Sequence, residues 1–201
     1  MNILEFTSEY PFGANTYIIS CDGEYAIIDP ATSPQKILNT INIDIKRFRY
    51  IILTHAHFDH ILFADEWHNT TGLPISVSKN DAKMLKDPAL NCYLYFLNAN
   101  KGYFGEICEL KDAQQLKLGN TVLTIHSSPG HTPGSILIEA KNALFVGDTV
   151  FADNGYGRCD LPGGNFDLLK CSVNSISRFH PETVIYPGHG PKTKVSKIIR
   201  F

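Results

Sequence analysis

The sequence predicts a layered α/β domain in which two β-sheets pack together and helices cover the outside. Short β-rich apolar runs alternate with helical stretches in both halves of the chain, and no internal repeat, low-complexity tract or linker interrupts them. Scale points the same way. The chain has 201 residues, 43% hydrophobic and 19% charged, and a chain of that length buries about 70% of its extended-chain surface. One domain over residues 1–201 is expected.

In chain order, Thr16-Tyr17-Ile18-Ile19 and Tyr25-Ala26-Ile27-Ile28 read as two strands of a hairpin, with Cys21-Asp22-Gly23 turning between them. Asp29-Pro30 ends the second strand, because proline has no N–H for the ladder. Ser33-Pro34 offers an N-cap followed by proline in the first turn, opening a helix over 34–40. Arg49-Tyr50-Ile51-Ile52-Leu53 has the composition of a buried strand, and residues 63–69 read as a helix that stops before Thr70-Thr71-Gly72. Later strands are expected at Thr121-Val122-Leu123-Thr124-Ile125, Ile136-Leu137-Ile138 and Ala143-Leu144-Phe145-Val146, the last two joined by a tight turn at Ala140-Lys141-Asn142. Asn165 can cap a helix over 166–179 with Leu168, Leu169, Val173 and Ile176 on one stripe. Thr183-Val184-Ile185-Tyr186 is the final strand. Residues 88–105 are rich in aromatic side chains, which either fill a local core under a helical insertion or form a lid or subunit contact.

Composition excludes several function classes. The net charge is −2 and no window is packed with Lys or Arg, so nucleic acid and anionic membrane are not expected partners, and a tRNA-processing nuclease is disfavoured. No apolar run approaches the ~20 residues that span a bilayer, and the first residues lack a secretory pattern, so the cytoplasm is the expected compartment. Self-association as a homo-oligomer is left open. Five scattered cysteines contain no Cys-x-x-Cys, as expected of free thiols in a reducing compartment; only Cys159 lies near chemistry in the sequence.

The chemistry is concentrated in histidines and aspartates. His55-Ala56-His57-Phe58-Asp59-His60 places four metal-ligand side chains directly after a strand. Residues two apart in an extended segment point to the same side, so His55 and His57 can converge on one metal. If the chain then turns, Asp59 and His60 can aim at a second. Imidazole and carboxylate suit zinc, iron or manganese. His131, Asp148 and His189 each follow a strand and sit beside glycine, where backbone can approach an ion closely. Asp29 and Thr54 are candidates to orient ligand imidazoles or, equally, to cap strand ends. His68, His126 and His180 have no place in the pattern and read as structural or surface residues.

The ordered set His55-x-His57-x-Asp59-His60, His131, Asp148 and His189 resembles the metallo-β-lactamase superfamily over nearly the whole chain. The resemblance implies a four-layer αββα sandwich. It also implies that His55, His57 and His131 hold one metal, that Asp59, His60 and His189 hold another, and that Asp148 bridges them. The lactamases that name the superfamily usually carry Cys where Asp148 stands, which argues against β-lactam hydrolysis. The segments around Asp148, Gly157-Arg158-Cys159-Asp160 and Tyr186-Pro187-Gly188-His189-Gly190-Pro191 are similar to the glyoxalase II-like branch, and more narrowly to its short members. Two departures stand out. The longer hydroxyacylglutathione hydrolases carry a helical C-terminal domain, and a Cys-Gly-Lys type motif at the position of Gly157-Arg158-Cys159-Asp160.

The function expected is hydrolysis of small acyl thioesters. Two divalent metals, zinc first and iron or manganese as alternatives, would share a hydroxide formed at neutral pH, and Asp59 and Asp148 are the candidate catalytic carboxylates. A thiolate leaving group needs no strong general acid. Arg158 either grips a substrate carboxylate or pairs with Asp160 or Asp153, and Tyr156 is a candidate for the pocket wall. The alternative is a mononuclear-iron persulfide dioxygenase of the same superfamily, which the resemblance places on residues matching His55, His131 and Asp148.

Overall fold

The computed structural model describes residues 1–9, 12–199 and 201. Its first sheet starts with β1 (Asn2–Thr7), which pairs antiparallel with β2 (Asn15–Cys21). The expected hairpin follows. Asp22 (φ +52°) and Gly23 (φ +78°) both adopt the left-handed backbone of a two-residue turn into β3 (Glu24–Ile28). From there the connections cross over. β3 runs parallel to β4 (Phe48–Ile52), β4 to β5 (Ile75–Ser78), and β5 to β6 (Ile107–Leu110), completing a six-stranded sheet in sequence order.

The second sheet has the spatial order β12-β11-β10-β9-β8-β7. It comprises β7 (Gln115–Leu118), β8 (Thr121–Ser127), β9 (Ile136–Ala140), β10 (Ala143–Gly147), β11 (Val184–Pro187) and β12 (Thr193–Lys194). The tight turn expected at Ala140-Lys141-Asn142 is confined to residues 141–142, because Ala140 ends β9 and pairs with Ala143, while β10 and β11 are parallel. The two sheets face each other. Tyr17, Ile19, Ile28 and Ile52 of the first pack against Leu123, Ile125, Ile138 and Phe145 of the second, all fully buried.

Helices cover both outer faces, giving the four-layer sandwich. In α1 (Pro34–Thr40) Ser33 Oγ accepts from Lys36 N and proline occupies the first turn, as its sequence predicts. In α4 (Phe166–Ser175) Asn165 Oδ1 accepts from Leu168 N, and a 3-10 turn at Ile176–Arg178 completes the expected length. Leu169, Val173 and Ile176 bury against Leu144 and Ile185 of the second sheet. The helix expected over 63–69 is instead α2 (Ala64–Thr71). Thr71 Oγ1 donates to the Trp67 carbonyl, and the left-handed Gly72 closes the last turn, so the threonines extend the helix rather than end it. Trp67 lies fully buried between α2 and the first sheet and donates to the Thr32 carbonyl at 2.8 Å. A short α3 (Tyr93–Leu97) lies within the aromatic segment. Tyr93 and Tyr103 are buried core, as a local core under a helical insertion requires, whereas Tyr95, Phe96 and Phe104 are exposed. No helix among the described residues is long and apolar enough to cross a membrane.

Candidate metal centre

Each residue of the histidine–aspartate set lies just beyond the C-terminal end of a strand. His55, His57, Asp59 and His60 follow β4, His131 follows β8, Asp148 follows β10 and His189 follows β11. These ends meet along one edge of the sandwich, so residues up to 134 positions apart in sequence become neighbours.

Three groups of side chains can each offer one ligand atom within 4.8 Å of the others: His55, His57 and His131; His55, His60 and Asp148; and Asp59, His60 and His189. In the first, His131 Nε2 lies 2.8 Å from His57 Nδ1 and 3.2 Å from His55 Nε2. Hydrogen-bond logic fixes the protons. His131 Nδ1 is 2.7 Å from the Arg158 carbonyl, which only accepts, so Nδ1 donates and Nε2 carries a lone pair. Thr54 Oγ1 gives its own proton to Asp29 Oδ2 at 2.6 Å, so it accepts from His55 Nδ1 at 3.1 Å. His55 Nε2 is therefore also a lone pair. Two lone pairs at that separation repel unless a cation lies between them. His57 Nε2 and Asp148 Oδ1 are buried without any hydrogen-bond partner, which a native fold rarely tolerates. Borderline-soft donors in this arrangement fit divalent metal ions.

Asp148 stands between the groups. Its Oδ1 is 3.4 Å from His60 Nε2, and its Oδ2 is 3.6 Å from His131 Nε2 and 3.5 Å from His189 Nε2. Asp59 Oδ2 approaches His189 Nε2 at 3.2 Å. The electrostatics divide the histidines in two. Burial holds His55 well below the usual imidazole range, pushes His57 down to about 3 and lowers His131, so all three are neutral donors. Burial also opposes charge on His60, but Asp59, Asp148 and Asp29 outweigh it and raise its pKa well above the usual value. Burial would raise the carboxyls of Asp59 and Asp148; His60 and His189, joined at Asp148 by His131, together outweigh it and keep both low, that of Asp148 well below the usual carboxylate range.

Other residues hold these side chains in place. Asp29 accepts from Thr54 N at 2.7 Å, Thr54 Oγ1 at 2.6 Å and His60 Nδ1 at 2.9 Å, so both Asp29 and Thr54 reach ligand imidazoles as well as ending a strand. Gly188 has no room for a side chain: a Cβ there would overlap Asp148 Oδ1 and lie 2.7 Å from His60 Cε1. Sequence reasoning missed Asp81. It is fully buried and accepts from Ala56 N at 3.0 Å, Thr132 Oγ1 at 2.7 Å and Gly134 N at 2.6 Å. It thereby ties the loop of His55 and His57 to the loop of His131, while burial pushes its carboxyl up to about 6. Asn15 was missed as well; its Nδ2 donates to the carbonyls of Pro187 and Gly190 on either side of His189.

The cluster opens onto a cavity of about 610 Å³ whose lining includes His57, Asp59, His131, Asp148 and His189. Arg158 lines it too, with Nε and Nη2 donating to the two carboxylate oxygens of Asp160 at 2.8 and 2.7 Å. Of the two partners weighed for Arg158, the ion pair is with Asp160. Tyr156 lies elsewhere. Its ring packs on Phe166 and Phe201, and it faces a separate cavity lined by Val150, Val173 and Ile198. The cysteine nearest the ligands also differs from expectation. Cys92, at the start of α3, lines the metal-site cavity, whereas Cys159 packs against the core beneath α4. All five thiols are free. His68 and His126 bond the Leu73 carbonyl and Glu139, away from the cluster, and His180 Nδ1 accepts from Glu182 N.

A profile of the metallo-beta-lactamase superfamily matches residues 10–189. The chain is similar to a probable metallo-hydrolase of Bacillus subtilis (strain 168), YqgX, with 34% identity over 92% of this chain and 89% of the relative. Among solved structures, it superimposes on BLEG-1 B3 metallo-beta-lactamase with a TM-score of 0.88 and 29% identity, covering 98% of this chain and 95% of that one. It matches TTHA1623 in a di-iron-bound form with a TM-score of 0.83 and 26% identity, covering 96% and 95%.

Proposed function

The chain belongs to the metallo-beta-lactamase superfamily, and from that premise we propose that it is a glyoxalase II-like hydrolase of small acyl thioesters that works with two divalent cations. His55, His57 and His131 hold one cation, Asp59, His60 and His189 hold the other, and Asp148 serves both. The observation that carries this reading is the position of Asp148, with one oxygen toward His60 and the other toward His131 and His189. Zinc suits the donor set, and the di-iron form of TTHA1623 keeps iron as an alternative.

Bound divalent cations would supply Lewis acidity, polarising an acyl carbonyl and lowering the pKa of a water from 15.7 to about 7. The chain's residues do the rest. Asp59 and Asp148 line the cavity as anions, at the position of the reacting atoms. Asp29 and Thr54 fix the imidazole orientations, and Arg158 stands at the cavity wall where it can meet substrate. No side chain is needed to protonate a thiolate as it leaves.

The test is turnover of a thioester panel, including S-D-lactoylglutathione and acetyl-N-acetylcysteamine, by metal-analysed protein with His131→Ala as the blank. Turnover with about two cations per chain, absent in the variant, is expected. One iron per chain, with oxygen uptake on glutathione persulfide, would overturn it in favour of a persulfide dioxygenase. The likeness to a B3 metallo-β-lactamase supports a second reading, β-lactam hydrolysis. Opening of a chromogenic cephalosporin with no thioester turnover would establish that reading instead.

A further inference from the structure

The cavity in front of the ligands has a charge inventory that limits what can bind there. Its ionisable lining residues are ligands to the centre, the thiol Cys92 and one cation, Arg158. Among the described residues that line it, no other cation is present, and the Arg158 guanidinium already gives two hydrogen bonds to Asp160. The remaining wall is apolar: Phe12, Phe58, Phe96, Phe151 and Leu161. Phe96 projects from α3 with 46% of its surface exposed, stacks on Phe58 at 5.1 Å between centroids, and lies 5.8 Å under the Arg158 guanidinium. A volume of about 610 Å³ is in the range of small-molecule sites, which are mostly apolar with few polar groups.

We propose that this cavity selects acyl thioesters whose acyl chain is apolar and whose thiol portion is uncharged, and that Phe96 is the residue that sets this preference. The inference deepens the hydrolase reading of the preceding subsection and rests on it. A thiol portion with two carboxylates and an ammonium would bring three charges against a wall of phenyl rings, losing hydration without gaining partners. An alkyl or aryl acyl chain instead removes the exposed face of Phe96 and the rings behind it from water. Arg158, paired with Asp160 and 5.8 Å over Phe96, then meets the substrate as part of this rim and not as the partner of a substrate charge.

Two measurements test the proposal. In the first, kcat/KM is compared for acetyl- and hexanoyl-N-acetylcysteamine and for S-D-lactoylglutathione. Hexanoyl-N-acetylcysteamine should lead each of the others by at least about tenfold, the low end of what one methylene of pocket contact discriminates. The hexanoyl-to-acetyl ratio should fall by about that factor in Phe96→Ala and return in Phe96→Leu. In the second, calorimetry compares binding of two non-hydrolysable thioethers, S-hexyl-N-acetylcysteamine and S-hexylglutathione, to the metal-loaded protein. The uncharged thioether should bind more tightly, with a negative heat-capacity change that shrinks in Phe96→Ala. Tighter binding of S-hexylglutathione, or a hexanoyl-to-acetyl ratio unchanged in Phe96→Ala, overturns the proposal while leaving thioester hydrolysis standing. Failure to turn over any thioester removes the hydrolase reading instead, and binding of the uncharged thioether still reports on the cavity.

Discussion

Asp29 Oδ2 accepts a hydrogen bond from His60 Nδ1 at 2.9 Å, and both side chains are buried from solvent. The contact keeps a proton on His60 Nδ1, so when the ring gives up one proton to bind a cation it is Nε2, facing Asp148, that is freed, and a residue that touches no substrate decides which imidazole nitrogen is offered. Asp29 does this from a positive φ of +52°, in the left-handed region that Asn also enters readily.

Asp29→Asn should therefore keep the backbone and lose the charged acceptor. Outer partners of this kind typically contribute 10–100-fold to metal affinity. We expect a loss of about that size for one of two cations, measured by competition with a chromophoric chelator, while the fold remains intact by circular dichroism. Equal affinity in the variant and the wild type would remove Asp29 from the positioning role.

Acidification should release the two cations in order. In the metal-free chain, burial keeps His55, His57 and His131 reluctant to bind protons. Burial likewise opposes charge on His60 and His189, but neighbouring carboxylates outweigh it and raise both. A ligand with a raised pKa competes for its proton at higher pH, so a cation on the Asp59–His60–His189 group must displace a proton sooner as pH falls. Metal content after dialysis from about pH 8 to about pH 5 should pass through a plateau near one per chain. The cation retained there should be the one lost in His131→Ala and kept in His189→Ala. Simultaneous loss of both cations would contradict this ordering.

Gly188→Ala should damage the centre by contact alone. The added methyl would overlap Asp148 Oδ1 and crowd His60 Cε1 at 2.7 Å, and Gly188 has no positive φ to add strain. Either Asp148 or the loop of His189 must move, and a displacement near 1 Å can cost about 10²-fold in rate. Turnover should fall by about that factor with little change in melting temperature; wild-type turnover would mean that the loop yields freely.

The histidine–aspartate cluster that the fold brings together was legible in the sequence because each member combines a distinctive residue type with a strand end and, in three cases, a neighbouring glycine. Strand pairing was less legible. β5, with the sequence Ile75-Ser76-Val77-Ser78, and β6, with Ile107-Cys108-Glu109-Leu110, are four residues each, too short for a period of two to stand out. They are held by parallel pairing to each other and, through β5, to β4. Tyr156 shows a different limit. It is two residues from Arg158 yet faces another cavity, because Phe166 and Phe201 come to it from remote parts of the chain. Proximity in sequence carried no information about which way its ring would turn.

Asp81 is the strongest case of a residue that only the assembled fold identifies. Ser78-Lys79-Asn80-Asp81 reads as an ordinary polar turn, yet the carboxylate is fully buried and receives three hydrogen bonds. Two of the donors are backbone N–H groups, of Ala56 between two ligand histidines and of Gly134 just beyond His131. Asp81→Ala would leave three buried donors unpaired, at about 1–3 kcal/mol each and not additive, so roughly 3–5 kcal/mol in all. For a chain of this size that corresponds to a fall in melting temperature of roughly 6–20 °C. Because the two loops carry His55, His57 and His131, the first cation should also be held more weakly in the folded variant, whereas a purely structural latch would lower the melting temperature alone. Measuring both the melting curve and the metal affinity of Asp81→Ala separates the two. Thermal loss with unchanged affinity would restrict Asp81 to fold stability, and loss of both would make it a positioning residue of the metal centre.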